Sequence, residues 1–354
     1  MIESKVFKNE EVLSPEYLPE TLPHREEQVR HLAENLLPAA NKRIPQNTFI
    51  FGPPGTGKTA SAKFVFREFE NYSGIKTVYI NCWDYKTIVA ILSKISLELG
   101  GFVQRRGMSK DEILERAIEV CNKLDKGLII CLDEVDQLVF HDKSALYDLV
   151  RLNQYLKLPV GLVFISNNPF VFVNVDPRVR SSLNIEEMEF KPYSLLEMKD
   201  ILEERAKVAF FSFESGVVLL AANHAVQNGG DVRVGLECLL RAGRFAEKEG
   251  EKKVKVLHMK MVLSTVKPIK PEILKEKLNL DEKIILQIVD EKTRIFTDEL
   301  YLIYSKRIEC PVGERRFRDF LKHLADIGLI KILTRKRGIR GRKRVVIKTY
   351  KPTE

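Results

Sequence analysis

Two periodicities alternate along the first half of the chain. Short apolar runs lie at Asn47–Phe51, Val78–Asn81, Gly127–Leu132 and Val160–Ile165. Between them the apolar positions recur every three or four residues: roughly Arg25–Ala40, a segment from about Lys58, Tyr85–Leu99, Lys110–Leu124 and Ala145–Gln154. The runs suit strands and the intervals amphipathic helices. Gly127–Leu132 is apolar throughout, which suits a strand buried on both faces, as in a parallel sheet. Strands alternating with helices imply a parallel sheet with helices on both sides. After Pro192 the strand pattern stops: Leu195–Val208, Ser215–Gln227, Asp231–Glu249 and Leu257–Val266 all read as helices. The prolines of 267–271 mark a linker. Beyond it the pattern predicts three helices, then two strands around a Gly/Arg turn. The expected fold is α/β, with a core at 1–191, an α-helical domain at 192–266 and a further domain at 273–354.

Composition narrows the class. With 44% hydrophobic and 30% charged residues over 354 positions, the chain can bury a core and is not disordered. No apolar run reaches about 18 residues, so no membrane span is expected. The first residues lack the apolar stretch of a secretory signal. Cys82, Cys121, Cys131, Cys238 and Cys310 form no CxxC pair, which argues against a zinc site and a disulfide framework. A soluble, cytoplasmic protein is expected. Charge changes the picture more. The net charge is +9, and residues 281–354 hold 19 Lys+Arg against 11 Asp+Glu, so nearly all the excess sits in the last fifth. Basic charge concentrated on a folded module is the footprint of a phosphate-backbone binder.

The strongest motif is Gly52-Pro53-Pro54-Gly55-Thr56-Gly57-Lys58-Thr59, a full GxxxxGK[ST] match between a strand and a helix. Its backbone N–H groups would surround phosphates, Lys58 would reach the β- and γ-phosphates, and the Thr59 hydroxyl would ligate Mg²⁺. The run Leu128–Leu132 ends in Asp133-Glu134, placing two carboxylates at a buried strand tip, the edge where open α/β sheets bind ligands. Asp133 would hold Mg²⁺ and Glu134 would orient the attacking water. A third strand ends at Ser166-Asn167-Asn168; an amide there could help Glu134, although Asn is also a common turn residue. Arg178 and Arg180 follow in a short segment and could act on a neighbouring site, or be solvated on a surface helix. Arg233, opening a helix after Gly229-Gly230-Asp231, could reach back to the phosphates or form a helix-start salt bridge.

In the last segment Phe317, Phe320, Leu321 and Leu324 share one helix face, and Arg315, Arg318 and Lys322 lie opposite, with Arg316 beside them. A basic turn, 337–342, joins the two strands. This is the pattern of a winged helix: a helix for the major groove and a hairpin beside it. The candidate DNA contacts are Arg315, Arg316, Arg318 and Lys322 on the helix, and Arg340, Arg342, Lys343 and Arg344 on the wing. Arginines at a glycine-flexed tip suit a minor groove or phosphates.

The ordered set Pro23-His24-Arg25-Glu26, the P-loop, Leu132-Asp-Glu-Val-Asp136, Ser166-Asn167, Asp176-Pro-Arg-Val-Arg-Ser-Ser-Leu183, Gly230-Asp-Val-Arg233 and a basic C-terminal module resembles the AAA+ replication initiators of the archaeal origin-recognition and cell-division-control type. The resemblance runs from about residue 15 to 350. It implies an AAA+ core, an α-helical lid and a C-terminal winged helix. It also implies that Asn167 is the first sensor, with Asn168 as an alternative, that Arg178 or Arg180 is the arginine finger, and that Arg233 is the second sensor. His24, Arg25 and Tyr193 would lie around the adenine. An insertion at about 85–109, with Arg105 and Arg106 at its exposed end, would touch DNA. The implied function is an ATP-regulated initiator that binds double-stranded origin DNA, works with other initiator subunits, recruits the replicative helicase and hydrolyses ATP slowly as a switch, with ATP or ADP and Mg²⁺ as cofactors and a nucleoid-associated location. The alternative is a Holliday-junction branch-migration motor, which joins the same kinds of parts.

Overall fold

In the computed structural model the described residues are 4–101, 108–142, 144–265, 280–292, 294–308, 311–326, 330–335 and 343–348. Arg105, Arg106, Arg340 and Arg342 lie outside them, as do the side chains of Lys343 and Arg344. The described chain falls into two compact units, Met1–Val266 and Lys267–Glu354.

The first unit is built on five strands: β1 (Asn47–Phe51), β2 (Lys76–Asn81), β3 (Leu128–Asp133), β4 (Val160–Ser166) and β5 (Ile185–Glu189). All pair in parallel, in the order β2-β3-β4-β1-β5. Every residue of β3 and β4 is buried, as central strands covered on both faces require. β5 escaped the hydrophobic pattern because it reads Ile-Glu-Glu-Met-Glu and pairs only with β1, at the sheet edge.

The strand residues alternate between two cores. Ile129 and Cys131 pack with α1 (Glu26–Leu36) and α2 (Lys58–Ser73). Leu128, Ile130 and Leu132 pack with α3 (Ile88–Glu98), α4 (Lys110–Cys121), α5 (Val135–His141) and α6 (Ala145–Tyr155). Helix boundaries follow local chemistry. The expected helix to Ala40 stops at Leu36, and the chain tightens into a 3₁₀ turn with Pro38 in its first positions. The expected start at Tyr85 moves to Ile88 because the Thr87 side chain caps the helix there. The short α7 (Pro177–Leu183) is capped by Asp176.

Four helices follow: α8 (Leu195–Ala209), α9 (Ser215–Gln227), α10 (Val232–Lys248) and α11 (Val256–Thr265). A capping box of Ser194 and Glu197 starts α8, and Asp231 caps α10. Their core is separate from the sheet's, and it includes Val6, Phe7, Val12 and Leu13. The rings of Phe7 and Phe210 lie 5.2 Å apart, and Lys8 and Asn9 N–H both donate to Ala209 O. The first residues of the expected 1–191 core therefore pack with the α-helical layer. Their apolar side chains are too few to form a core alone and meet one already lined by α8 and α10.

The second unit contains α12 (Leu280–Lys292), β6 (Arg294–Phe296), α13 (Thr297–Arg307), α14 (Glu314–Asp326), β7 (Ile330–Arg335) and β8 (Lys343–Lys348). Its strands form an antiparallel sheet in the order β6-β8-β7, and β6 is an addition to the expected pattern. Ile285, Val289, Tyr304, Phe317, Leu321 and Val346 share its core.

Candidate active site

Parallel pairing brings the strand tips to one edge. Asn81 stands opposite Asp133, and Phe51 opposite Ser166, so the loops after β1, β3 and β4 emerge together. The loop after β1 is the glycine-rich one. Gly55 and Gly57 take φ of +70° and +89°, where a Cβ is strained. A Cβ on Gly55 would also come within 1.8 Å of Asp231 Oδ1, and one on Gly57 within 2.7 Å of Tyr193 Oη. Both glycines are dictated by how closely the α-helical layer approaches the loop.

Lys58 opens α2 and its ammonium curls beneath the loop. Nζ donates to Gly52 O, Pro53 O and Asn167 Oδ1, each at 2.8 Å. Burial pushes it down to about 8 from the ordinary 10.5, against the pull of Asp133 and Glu134. Asn167 Nδ2 donates to both Glu134 carboxylate oxygens, at 3.2 and 3.3 Å. Its amide orientation follows from chemistry, since an ammonium only donates and a carboxylate only accepts. Asn167 therefore links Lys58 to Glu134. Asn168 turns away, and its Oδ1 accepts from Phe170 N–H.

Glu134 sits at φ 53°, ψ 46°, a left-handed conformation for a non-glycine residue, at the junction of β3 and α5. Such strain costs about 1–3 kcal/mol and marks functional positions. Burial first, then Asp133 and Asp136, raise its carboxyl above the ordinary carboxylate range, while Lys58 and Asn167 oppose them. Both oxygens of Asp133 are engaged. Its Oδ1 accepts from Glu134 N–H at 2.9 Å, and its Oδ2 accepts from Thr59 Oγ1 at 2.6 Å and Tyr79 Oη at 2.7 Å. Buried Ser166 donates to Asp136 Oδ1 at 2.7 Å, tying the tip of β4 to the first turn of α5.

Arg25 is buried. Nε donates to Thr56 O at 2.9 Å, Nη1 to His24 O at 3.2 Å and Nη2 to Lys191 O at 2.7 Å. Its guanidinium lies 4.0 Å from the Tyr193 ring centroid and 5.1 Å from that of Phe190. Arg25 thus stacks on Tyr193, and with His24, Lys191 and Pro192 it lines a cavity beside the loop. His24 is half-buried and pairs with Asp200 at 3.2 Å. Arg233 is held by Asp231: Nη2 meets Oδ2 at 2.7 Å and Nε meets Oδ1 at 2.9 Å. Arg178 and Arg180 face solvent, away from the assembled residues.

The residues expected from sequence at 52–59, 133, 134, 167 and 233 are therefore brought together at this edge. The sequence reading missed Tyr79, Asp231 and the Asp136–Ser166 tie. Tyr79 carried no signal, because tyrosine is an ordinary strand former. Asp231 stood in a motif already noted, next to its arginine. In the second unit Arg315, Arg316, Arg318 and Lys322 are exposed on α14 above buried Phe317, Leu321 and Leu324. Arg318 pairs with Glu314 at 2.6 Å. Among the described residues no helix is long and apolar enough to cross a membrane, and no group of three or more His, Cys, Asp or Glu could hold a metal ion.

A parallel sheet with a phosphate loop after β1 and Asp-Glu after β3, capped by an α-helical layer, defines a P-loop nucleotide-binding ATPase of the AAA+ class. Residues 43–168 match the AAA domain, and residues 199–262 match the Cdc6 AAA+ ATPase-type lid domain. An ORC1-type DNA replication protein of Pyrococcus abyssi is 35% identical over 96% of this chain and 86% of its own length. ORC1-type DNA replication protein 1 of Sulfurisphaera tokodaii is 36% identical, covering 97% and 90%. The solved Aeropyrum pernix ORC1 protein, in complex with DNA, superposes with a TM-score of 0.76 at 33% identity, over 99% of this chain and 95% of that one. The chain belongs to the ORC1-type DNA replication protein family. The Thermotoga maritima RuvB branch-migration motor shares only the fold, with a TM-score of 0.54 at 16% identity.

Proposed function

We propose that the chain is an ATP-switched initiator that binds duplex origin DNA through a winged helix within 273–354 and through the insertion around 85–109, assembles with other initiator subunits and recruits the replicative helicase. The core and lid divide near residue 191, with the N-terminal segment joined to the lid. The bond chain Lys58–Asn167–Glu134 supports ATP hydrolysis at this edge. Lys58 would hold the phosphates, Glu134 would orient water, and Asn167 would keep Glu134 aimed. Thr59 and Asp133 offer hydroxyl and carboxylate oxygens, the hard donors Mg²⁺ takes, and the bound ion would screen phosphate charge. Arg233 would exchange Asp231 for a phosphate. Arg178 is solvent-exposed, so a neighbouring subunit's site is the one it suits as a finger. An isolated chain then lacks that charge stabilisation and turns over slowly, which suits a switch.

The observation that carries the DNA reading is the exposed row Arg315, Arg316, Arg318 and Lys322 over an apolar helix face. The test is duplex binding by the full chain across a salt series. Arg315→Ala with Arg318→Ala should weaken binding and reduce the log–log salt slope by about 2, close to one for each phosphate left without its cation. An unchanged affinity and slope would remove this helix from the interface. Tight four-way-junction binding that stimulates fast turnover would favour a branch-migration motor instead.

A further inference from the structure

Tyr79 is a polar side chain near the strand tips, bonded to Asp133, that the hydrolytic scheme does not use. It lies on β2 opposite Cys131, so it shares a sheet face with Cys131 and Asp133 and rises toward the tip. Its hydroxyl donates to Asp133 Oδ2 at 2.7 Å, the same oxygen that accepts from Thr59 at 2.6 Å. The other oxygen accepts from Glu134 N–H at 2.9 Å. A carboxylate has about four acceptor positions, so these three bonds leave about one free and fix the rotation of the group. The ring is held independently, with the Lys63 ammonium 4.5 Å from its centroid. Phenylalanine would keep that packing, so the hydroxyl serves the carboxylate and not the core.

We propose that Tyr79 is a positioning residue for the magnesium site, holding Asp133 so that its remaining acceptor position faces the cation beside Thr59. The inference rests on the reading that Thr59 and Asp133 hold Mg²⁺. Orienting partners of this kind typically change metal affinity about 10–100-fold when removed.

The test uses the full chain and its Tyr79→Phe and Asp133→Asn variants. ATP binding is measured in EDTA, and Mn²⁺ binding to the protein–ATP complex is followed by the electron paramagnetic resonance of free Mn²⁺. Tyr79→Phe should bind ATP normally in EDTA yet hold Mn²⁺ about tenfold more weakly. If Asp133→Asn loses Mn²⁺ affinity and Tyr79→Phe does not, the role of Tyr79 falls while the metal reading stands. If neither variant loses it, both fall. If Tyr79→Phe fails to bind ATP even in EDTA, the hydroxyl supports the fold and the positioning role is overturned.

Discussion

Lys58 shows how one residue's surroundings set its chemistry. It is buried, it donates to two backbone carbonyls and an amide, and it is pushed down to about 8. The unfolded chain, with an ordinary lysine near 10.5, holds this proton more tightly than the folded chain does. Between about pH 8 and 10.5 the unfolded state binds more protons, so this residue makes the nucleotide-free protein more stable as pH rises there. Phosphates favour the ammonium, so ATP binding above pH 8 takes up a proton and must weaken as pH rises. The affinity should be level below pH 8 and then fall toward about tenfold per pH unit. Titrating a fluorescent ATP analogue from pH 7 to 9.5 measures it, and Lys58→Arg should lack the bend, because guanidinium stays charged throughout. A flat profile in the native chain would mean that Lys58 keeps its proton without ligand.

Elements meet at Arg25, and this is where reading the sequence reached its limit. The P-loop, the Asp-Glu tip and the helices starting at Leu195 and near Asp231 were legible because each is local: a residue type at a fixed spacing next to a periodic run. Arg25 was legible only as part of a motif, and its assignment near the adenine said nothing of its partners. Those partners, Thr56 and Lys191, lie 31 and 166 residues away and become neighbours only through the sheet order. The same holds for Tyr79 against Asp133, and for Phe7 against the lid. β5 was invisible for a different reason, since its three glutamates hide an edge strand. Arg25 ties the N-terminal segment, the phosphate loop and the lid entrance into one piece. Arg25→Lys keeps the charge but loses the planar fork and the stacking on Tyr193 and Phe190. Loss of charge-assisted bonds at about 2–3 kcal/mol, at about 2–4 °C per kcal/mol in a unit of this size, should lower the melting temperature by about 4–12 °C. Differential scanning calorimetry checks it; an unchanged transition would mean the three segments hold together without the fork.

At the scale of the whole molecule, two separate cores define what nucleotide can stabilise. The core of Ile285, Val289, Tyr304 and Phe317 belongs entirely to the second unit, and the phosphate loop, the Asp-Glu tip and Asp231 belong entirely to the first. Within the first unit the lid meets the loop directly, with Val232 N–H donating to Gly55 O at 3.3 Å and Asp231 held against Gly55. A ligand that binds only the folded first unit stabilises it by about 2.7 kcal/mol at a hundred times its dissociation constant. Calorimetry of the full chain should therefore show two transitions, of which ATP raises one, by about 5–10 °C, and leaves the other in place. Gly55→Ala should reduce the ATP-dependent rise, because its Cβ would displace Asp231 and with it the start of α10. Arg233→Ala should leave the rise with ADP intact and shrink the extra rise with ATP, since Arg233 is the group free to exchange a carboxylate for a terminal phosphate. If both transitions moved together with ATP, nucleotide and the second unit would be thermodynamically linked. The switch would then reach the second unit and not act through assembly alone.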